Sequence, residues 1–130
     1  MKPYYIFLDD MRNPHDVVWE QIPNKPWTIV RSYNDFVQYI ENVGYVPEFI
    51  CYDHDLADSH YKSLPHLNKS YGKIDYNSFK EKTGYECAKW MVRYCIERGI
   101  KHPPYVVHSM NPVGKLNIIS WIESYNKSIG

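Results

Sequence analysis

Neither sign of charge dominates this 130-residue sequence, in which 15 Lys and Arg stand against 15 Asp and Glu. Without a basic excess there is no field to steer nucleic acid onto a broad surface, although a nucleotide or an RNA end can still bind at a local site. Cysteine is sparse. The three present, Cys51, Cys87 and Cys95, are odd in number and lack metal-ligand spacing. They fall in segments that read as a strand and a helix, so they are expected as buried free thiols in a reducing compartment. Long apolar runs are also missing. No stretch approaches a membrane span, and none near Met1 is long enough for a signal peptide, so no membrane partner and a cytoplasmic location are expected. No internal repeat and no low-complexity tract stands out. What the chain does have is 44% apolar residues, which excludes a disordered class. Its thirteen tyrosines, with frequent Asn, Ile and Lys, suit an AT-rich genome such as that of a phage or a low-GC bacterium. The length fits one domain, 1–130, able to bury a core without disulfides.

Tyr4–Leu8 (YYIFL) is a continuous apolar run stopped by Asp9-Asp10. It is short and rich in β-formers, and reads as a buried strand. Met11–Pro26 holds three prolines and reads as loop, with a short helical turn expected around Val17–Glu20. Trp27–Arg31 is a second strand. Ser32 then caps a helix, with Asp35 as capping-box partner, a stripe of Phe36, Val37, Ile40 and Val43, and Gly44 as the stop. Phe49–Tyr52 is a third strand, ended by Asp53-His54-Asp55. A polar insert at about 57–82 shows no period, and a segment of that kind inside a compact domain is usually a functional lid or an insertion. Thr83, with Glu86 as box partner, caps a helix whose stripe is Ala88, Met91, Val92, Cys95 and Ile96, closed by Gly99. Tyr105–Val107 is a fourth strand, ended by His108-Ser109. Asn111-Pro112 opens a last helix, with Ile118, Ile119, Ile122 and Tyr125 on its inner face. Alternation of buried strands with helices predicts an α/β fold with a doubly wound parallel sheet. In the flavodoxin-like, three-layer arrangement the strand order is 2-1-3-4, and sites form beyond the carboxyl ends of the strands.

Three of the four strands therefore end in reactive residues at one edge. Carboxylates crowded there repel one another unless a cation sits between them, and hard oxygen ligands suit Mg²⁺ or Mn²⁺. Asp9, Asp10 and Asp53 are the expected metal ligands, with Asp55 joining them or acting as the base that orients water. Such an ion holds a phosphate or activates a water beside one. Ser109 and the backbone N–H groups from Asn111 to Gly114 form an anion site, with Lys115 one turn on. His108 is the expected general acid. Arg12 reads as a phosphate clamp or a surface ion pair, and Arg31 as a weaker clamp. Acids also follow strands for a bland reason, since loops are polar and Asp caps helices. Two acidic clusters plus His108-Ser109 on adjacent strand ends weigh against that reading. His54 is favoured as a residue behind the ligands, and His15, His60, His66 and His102 as solvated. Trp90 and Trp121 read as packing. Tyr61, Tyr71 and Tyr76 read as surface tyrosines that can stack on a base.

An acid pair after strand one, Asp53 (or Asp55) after strand three and Ser109 after strand four resemble a receiver domain. There the pair binds Mg²⁺, the strand-three acid accepts phosphate and the hydroxyl contacts it. The departures are the missing fifth strand with its lysine, for which Lys115 is only a stand-in, the Asp53-His54-Asp55 triplet and the long insert. LDDMRNP at 8–14, VRSYNDF at 30–36, YDHDL at 52–56, TGYECAKWM at 83–91 and VVHSMNPVGKLNI at 106–118 are more closely similar to the receiver-like family described as cyclic-phosphate processing. The resemblance implies a metal-dependent activity on phosphodiester or cyclic phosphate groups, with a nucleotide or RNA-terminal phosphate as partner. The expected function is thus a metal-dependent phosphoesterase. One alternative is an enzyme forming an aspartyl-phosphate, because Asp53-His54-Asp55 resembles the motif of haloacid-dehalogenase-type phosphatases. The other is a non-catalytic phospho-receiver or nucleotide-binding module.

Overall fold

The computed structural model describes residues 1–56 and 82–130. Most of the expected insert, including His60, His66, Tyr61, Tyr71 and Tyr76, lies outside the described residues. The elements run β1 (Tyr5–Leu8), a 3₁₀ turn (Pro14–Asp16), β2 (Trp27–Val30), α1 (Tyr33–Val43), β3 (Phe49–Tyr52), α2 (Gly84–Arg98), β4 (Tyr105–Val107) and α3 (Pro112–Ile129). The four strands are parallel in the order β2-β1-β3-β4.

This order fixes where each connection runs. Right-handed crossovers that move one way along a sheet lie on one face, and those that move back lie on the other. The β1-to-β2 connection covers one face, where Val17 and Ile22 pack with Phe7, Cys51, Trp27, Phe49 and Val106. Helices α1, α2 and α3 lie on the opposite face, joining Ile6, Leu8, Ile50, Tyr52 and Val107 in the main core with Phe36, Ile40, Met91, Cys95, Ile118 and Ile122. The third layer is therefore a proline-rich loop rather than a helix. Its one helical turn sits at Pro14–Asp16, not at Val17–Glu20. The backbone N–H of Asn13 donates to Asp16 Oδ2 at 2.8 Å, and Pro14 starts the turn.

The helix boundaries follow local chemistry. Ser32 Oγ accepts from the Asp35 N–H at 3.1 Å, and Gly44 closes α1 at φ +88°, a conformation in which a Cβ is strained. Thr83 Oγ1 accepts from the Tyr85 N–H at 3.2 Å rather than from Glu86. Asn111 Oδ1 accepts from the Gly114 N–H at 3.1 Å, with Pro112 at the first helical position. Ile96, expected in the α2 stripe, is exposed, since that face of α2 turns away from the sheet. Trp90 packs on Phe36, and Trp121 meets Tyr85 edge-on while remaining partly exposed. The three cysteines are free and buried. His102 is buried rather than solvated. Its Nδ1–H donates to the Pro103 carbonyl at 2.6 Å and its Nε2 accepts from the Tyr52 hydroxyl at 2.7 Å. Among the described residues, no helix is long and apolar enough to cross a membrane.

Candidate functional site

Strand register places the chemistry. Leu8 is the last residue of β1, Tyr52 of β3 and Val107 of β4, and Tyr52 pairs with Val107. The ladder continues one step further, because the Asp53 N–H donates to the Leu8 carbonyl at 3.1 Å and the His108 N–H to the Tyr52 carbonyl at 2.9 Å. Asp9, Asp53 and His108 thus share one rung beyond the sheet. Leu8, Tyr52 and Val107 face the helices, so alternation turns the next residue of each strand toward the loop face. His108 accordingly stacks on Phe7, with ring centroids 4.6 Å apart.

These three residues are buried, and each offers a ligand atom within 4.8 Å of the others. His108 Nε2–H donates to Asp9 Oδ2 at 3.1 Å. The other oxygen, Asp9 Oδ1, accepts from the N–H groups of Met11 and Arg12 at 3.0 and 2.9 Å. Burial alone pushes the Asp9 carboxyl up, but the His108 hydrogen bond and the two backbone donors outweigh it and hold Asp9 below its usual range. Asp53 goes the other way. Burial first, and then the charges of Asp9, Asp55 and Asp10, push its carboxyl up to about 8. Asp53 Oδ1 accepts from the His54 N–H at 2.9 Å. Asp53 Oδ2 and His108 Nδ1 are buried with no hydrogen-bond partner among the described residues. Buried polar atoms are normally paired, and Asp53 belongs to the group of converging ligand atoms, so its carboxylate suits a cation. An ion among the three residues would satisfy Asp53 Oδ2 and offset the repulsion between two buried carboxylates. Two oxygens and an imidazole nitrogen are an acceptable donor set for a divalent first-row metal.

The other expected residues surround this rung. Asp10 is half-buried, and its charge bears on Asp53. Neither it nor Asp55 belongs to the group with converging ligand atoms. Asp55 lies on the helix side, where its Oδ1 is 2.8 Å from His54 Nδ1 and 3.4 Å from Asn111 Nδ2. Ser109 Oγ accepts from the Asn111 N–H at 3.1 Å, which leaves its own proton available to donate. Lys115 Nζ pairs with Glu20 Oε2 at 3.0 Å. Arg12 Nη1 approaches Asp9 Oδ2 at 3.8 Å. Arg31 is a brace for the acid loop rather than a clamp. It donates to the carbonyls of Asp9 and Arg12 at 3.2 and 2.7 Å and to Asn13 Oδ1 at 2.9 Å.

The family model described as "Cyclic-phosphate processing Receiver domain" matches residues 4–124. The chain belongs to the cyclic-phosphate processing receiver domain family. No curated protein and no solved structure matches it.

Sequence reasoning missed two residues of this receiver domain's site, Trp19 and Gly84, and the packing role of Gly114. Trp19 donates its indole N–H to the His108 carbonyl at 2.7 Å, and nothing in the proline-rich loop marks it. Gly84 and Gly114 let the starts of α2 and α3 press on the Asp53-His54-Asp55 turn. A Cβ on Gly84 would lie 1.7 Å from the Asp53 carbonyl oxygen, and one on Gly114 would lie 2.3 Å from the His54 ring. Glycine in the first turn of a helix is a readable signal of close approach.

Proposed function

We propose that this domain is a metal-dependent phosphoesterase that opens a cyclic phosphate on a nucleotide or an RNA end. The observation that carries the reading is the single buried rung of Asp9, Asp53 and His108. The family to which the chain belongs supports the substrate class. Asp9, Asp53 and His108 would hold the ion, Mg²⁺ or Mn²⁺, with the imidazole nitrogen favouring Mn²⁺. A bound ion of this kind polarises a phosphoryl oxygen and lowers the pKa of a bound water.

The remaining residues receive and orient the phosphate. The Ser109 hydroxyl lies at the same strand edge and suits a non-bridging oxygen, whereas the N–H groups of Asn111 and Gly114 are already given to Ser109 Oγ and Asn111 Oδ1 and Pro112 has none. Asp55 holds His54 and Asn111, and so fixes the start of α3. Asp10 is half-buried beside the rung, and its charge bears on Asp53. His108 is assigned to the ion rather than to a leaving oxygen because its ring is fully buried, stacked on Phe7 and part of the converging group.

Hydrolysis of 2′,3′- and 3′,5′-cyclic nucleotides with Mn²⁺ or Mg²⁺ tests the reading. Metal-dependent ring opening, lost in Asp53→Asn, is the expected result. A second reading rests on the position of Asp53 directly after β3, where a receiver accepts phosphate. Stable labelling of Asp53 by acetyl phosphate, with no cyclic phosphate turned over, would replace the first reading with the second.

A further inference from the structure

We infer that Trp19, backed by Arg12, is a stacking platform for the base of the substrate, which makes the ligand a nucleoside cyclic phosphate rather than a bare sugar phosphate. The inference rests on the phosphoesterase reading and adds a specificity-determining residue to it. Trp19 is 39% exposed, yet it is not a loose surface ring. Its indole N–H is tied to the carbonyl of His108, a member of the buried rung. The next residue, Glu20, is held to Lys115 on α3 at 3.0 Å. Two cross-links on adjacent residues therefore fix the ring across the strand ends, so little ordering entropy remains to be lost when a ligand stacks on it.

The surroundings define the ligand. The Arg12 guanidinium carbon lies over the Trp19 ring, 5.1 Å from its centroid. The same side chain reaches 3.8 Å from Asp9 Oδ2 and contacts Met110 Sδ at 3.7 Å. One residue thus joins the aromatic surface to the acid site. Met11, next to Arg12 in the chain, and Met110, in contact with it, are exposed, and thioethers are adaptable partners for flat rings. A ligand that fits both halves has an anionic group for the acid-and-metal end and a flat, uncharged ring beside it. A nucleotide has that form. A fatty chain lacks the anion, and a bare cyclic sugar phosphate lacks the ring.

Selectivity tests the platform. The quantity measured is the ratio of kcat/KM for adenosine 2′,3′-cyclic phosphate to that for 1-O-methylribose 2′,3′-cyclic phosphate, at saturating Mn²⁺. Stacking on one aromatic ring contributes about five- to a hundredfold, so the unaltered protein should prefer the adenosine compound by a factor in that range. Trp19→Ala should bring the ratio close to one. Trp19→Phe keeps a ring but loses the N–H donor, and should retain most of the preference. The ratio cancels any general damage to His108 from the lost hydrogen bond. A loss of kcat/KM of equal size for the two compounds in Trp19→Ala, with their ratio unchanged, would assign Trp19 to bracing His108 and overturn the platform. Turnover of both compounds at equal rates by the unaltered protein would overturn the platform while leaving the phosphoesterase reading intact. Turnover of neither would overturn both.

Discussion

Strand β4 is bracketed by two buried histidines, and they use their ring nitrogens differently. His102, before the strand, has both nitrogens engaged, with the Pro103 carbonyl on one side and the Tyr52 hydroxyl on the other. His108, after the strand, gives one N–H to Asp9 and leaves its Nδ1 buried without a partner among the described residues. The neighbourhoods differ too. His102 lies with Tyr52 and Tyr105, whose rings surround it. His108 shares a rung with two buried carboxylates. A buried polar group that is fully satisfied rigidifies the fold. One left short of partners, beside unbalanced charge, marks a place built for something else.

Mutation of each end should therefore break a different property. The largest effect is expected at the carboxyl end. His108→Ala or Asp53→Asn should lower metal-dependent turnover on the order of 10³-fold, the scale of losing several kcal/mol of metal-based charge stabilisation. Initial rates at saturating metal and cyclic nucleotide would measure it. Removing the other histidine should cost stability and spare the chemistry. His102→Ala leaves the Tyr52 hydroxyl unpaired and opens a cavity, for an expected loss of about 2–4 kcal/mol in denaturant unfolding. The response to metal should stay unchanged. A similar loss of turnover in His102→Ala would erase the distinction between the two ends.

The distinction was only partly legible in the sequence. Continuous apolar runs that stop at Asp9, Asp53 and His108 are a local signal, and they yielded the strands, their parallel order and the edge at which the site forms. What could not be read were contacts made at long range. His102 stands between Lys101 and two prolines and looks like a loop residue, because its partner Tyr52 lies fifty positions away. Trp19 and Arg31 are hidden for the same reason, since each acts through a carbonyl on a distant strand end. The grouping of His108 with Asp9 and Asp53, rather than of Asp10 with them, depends on which residues share the rung beyond the strands. That follows from a register set only when the sheet assembles.

The two ends should also titrate in opposite senses in metal-free protein. The Asp53 carboxyl is raised in the fold to about 8 from an ordinary 3.8. The folded state therefore holds a proton that the unfolded chain releases. Stability from this group is full below about pH 4 and is lost as pH rises toward 8. The His102 imidazole is lowered by burial to about 4 from 6.5. Its contribution is full above 6.5 and is lost as pH falls through 4. Unfolding followed at intervals from pH 4 to pH 8.5 should show Asp53→Asn removing the decline toward alkaline pH. The smallest expected change is at the acid end, where replacing His102 with Gln should flatten the limb between pH 6.5 and 4. An alkaline decline that survives in Asp53→Asn would contradict the assignment of the unpaired carboxyl.

The central claim is that Asp9, Asp53 and His108 form one cation site. Calorimetric titration of Mn²⁺ into the purified protein at pH 7, repeated with Asp53→Asn and His108→Ala, tests it most directly. One site per chain is predicted, with proton release as Asp53 ionises and with binding lost in both variants. A bound ion that ignores both substitutions, or the absence of any heat in the unaltered protein at millimolar Mn²⁺, would contradict the account.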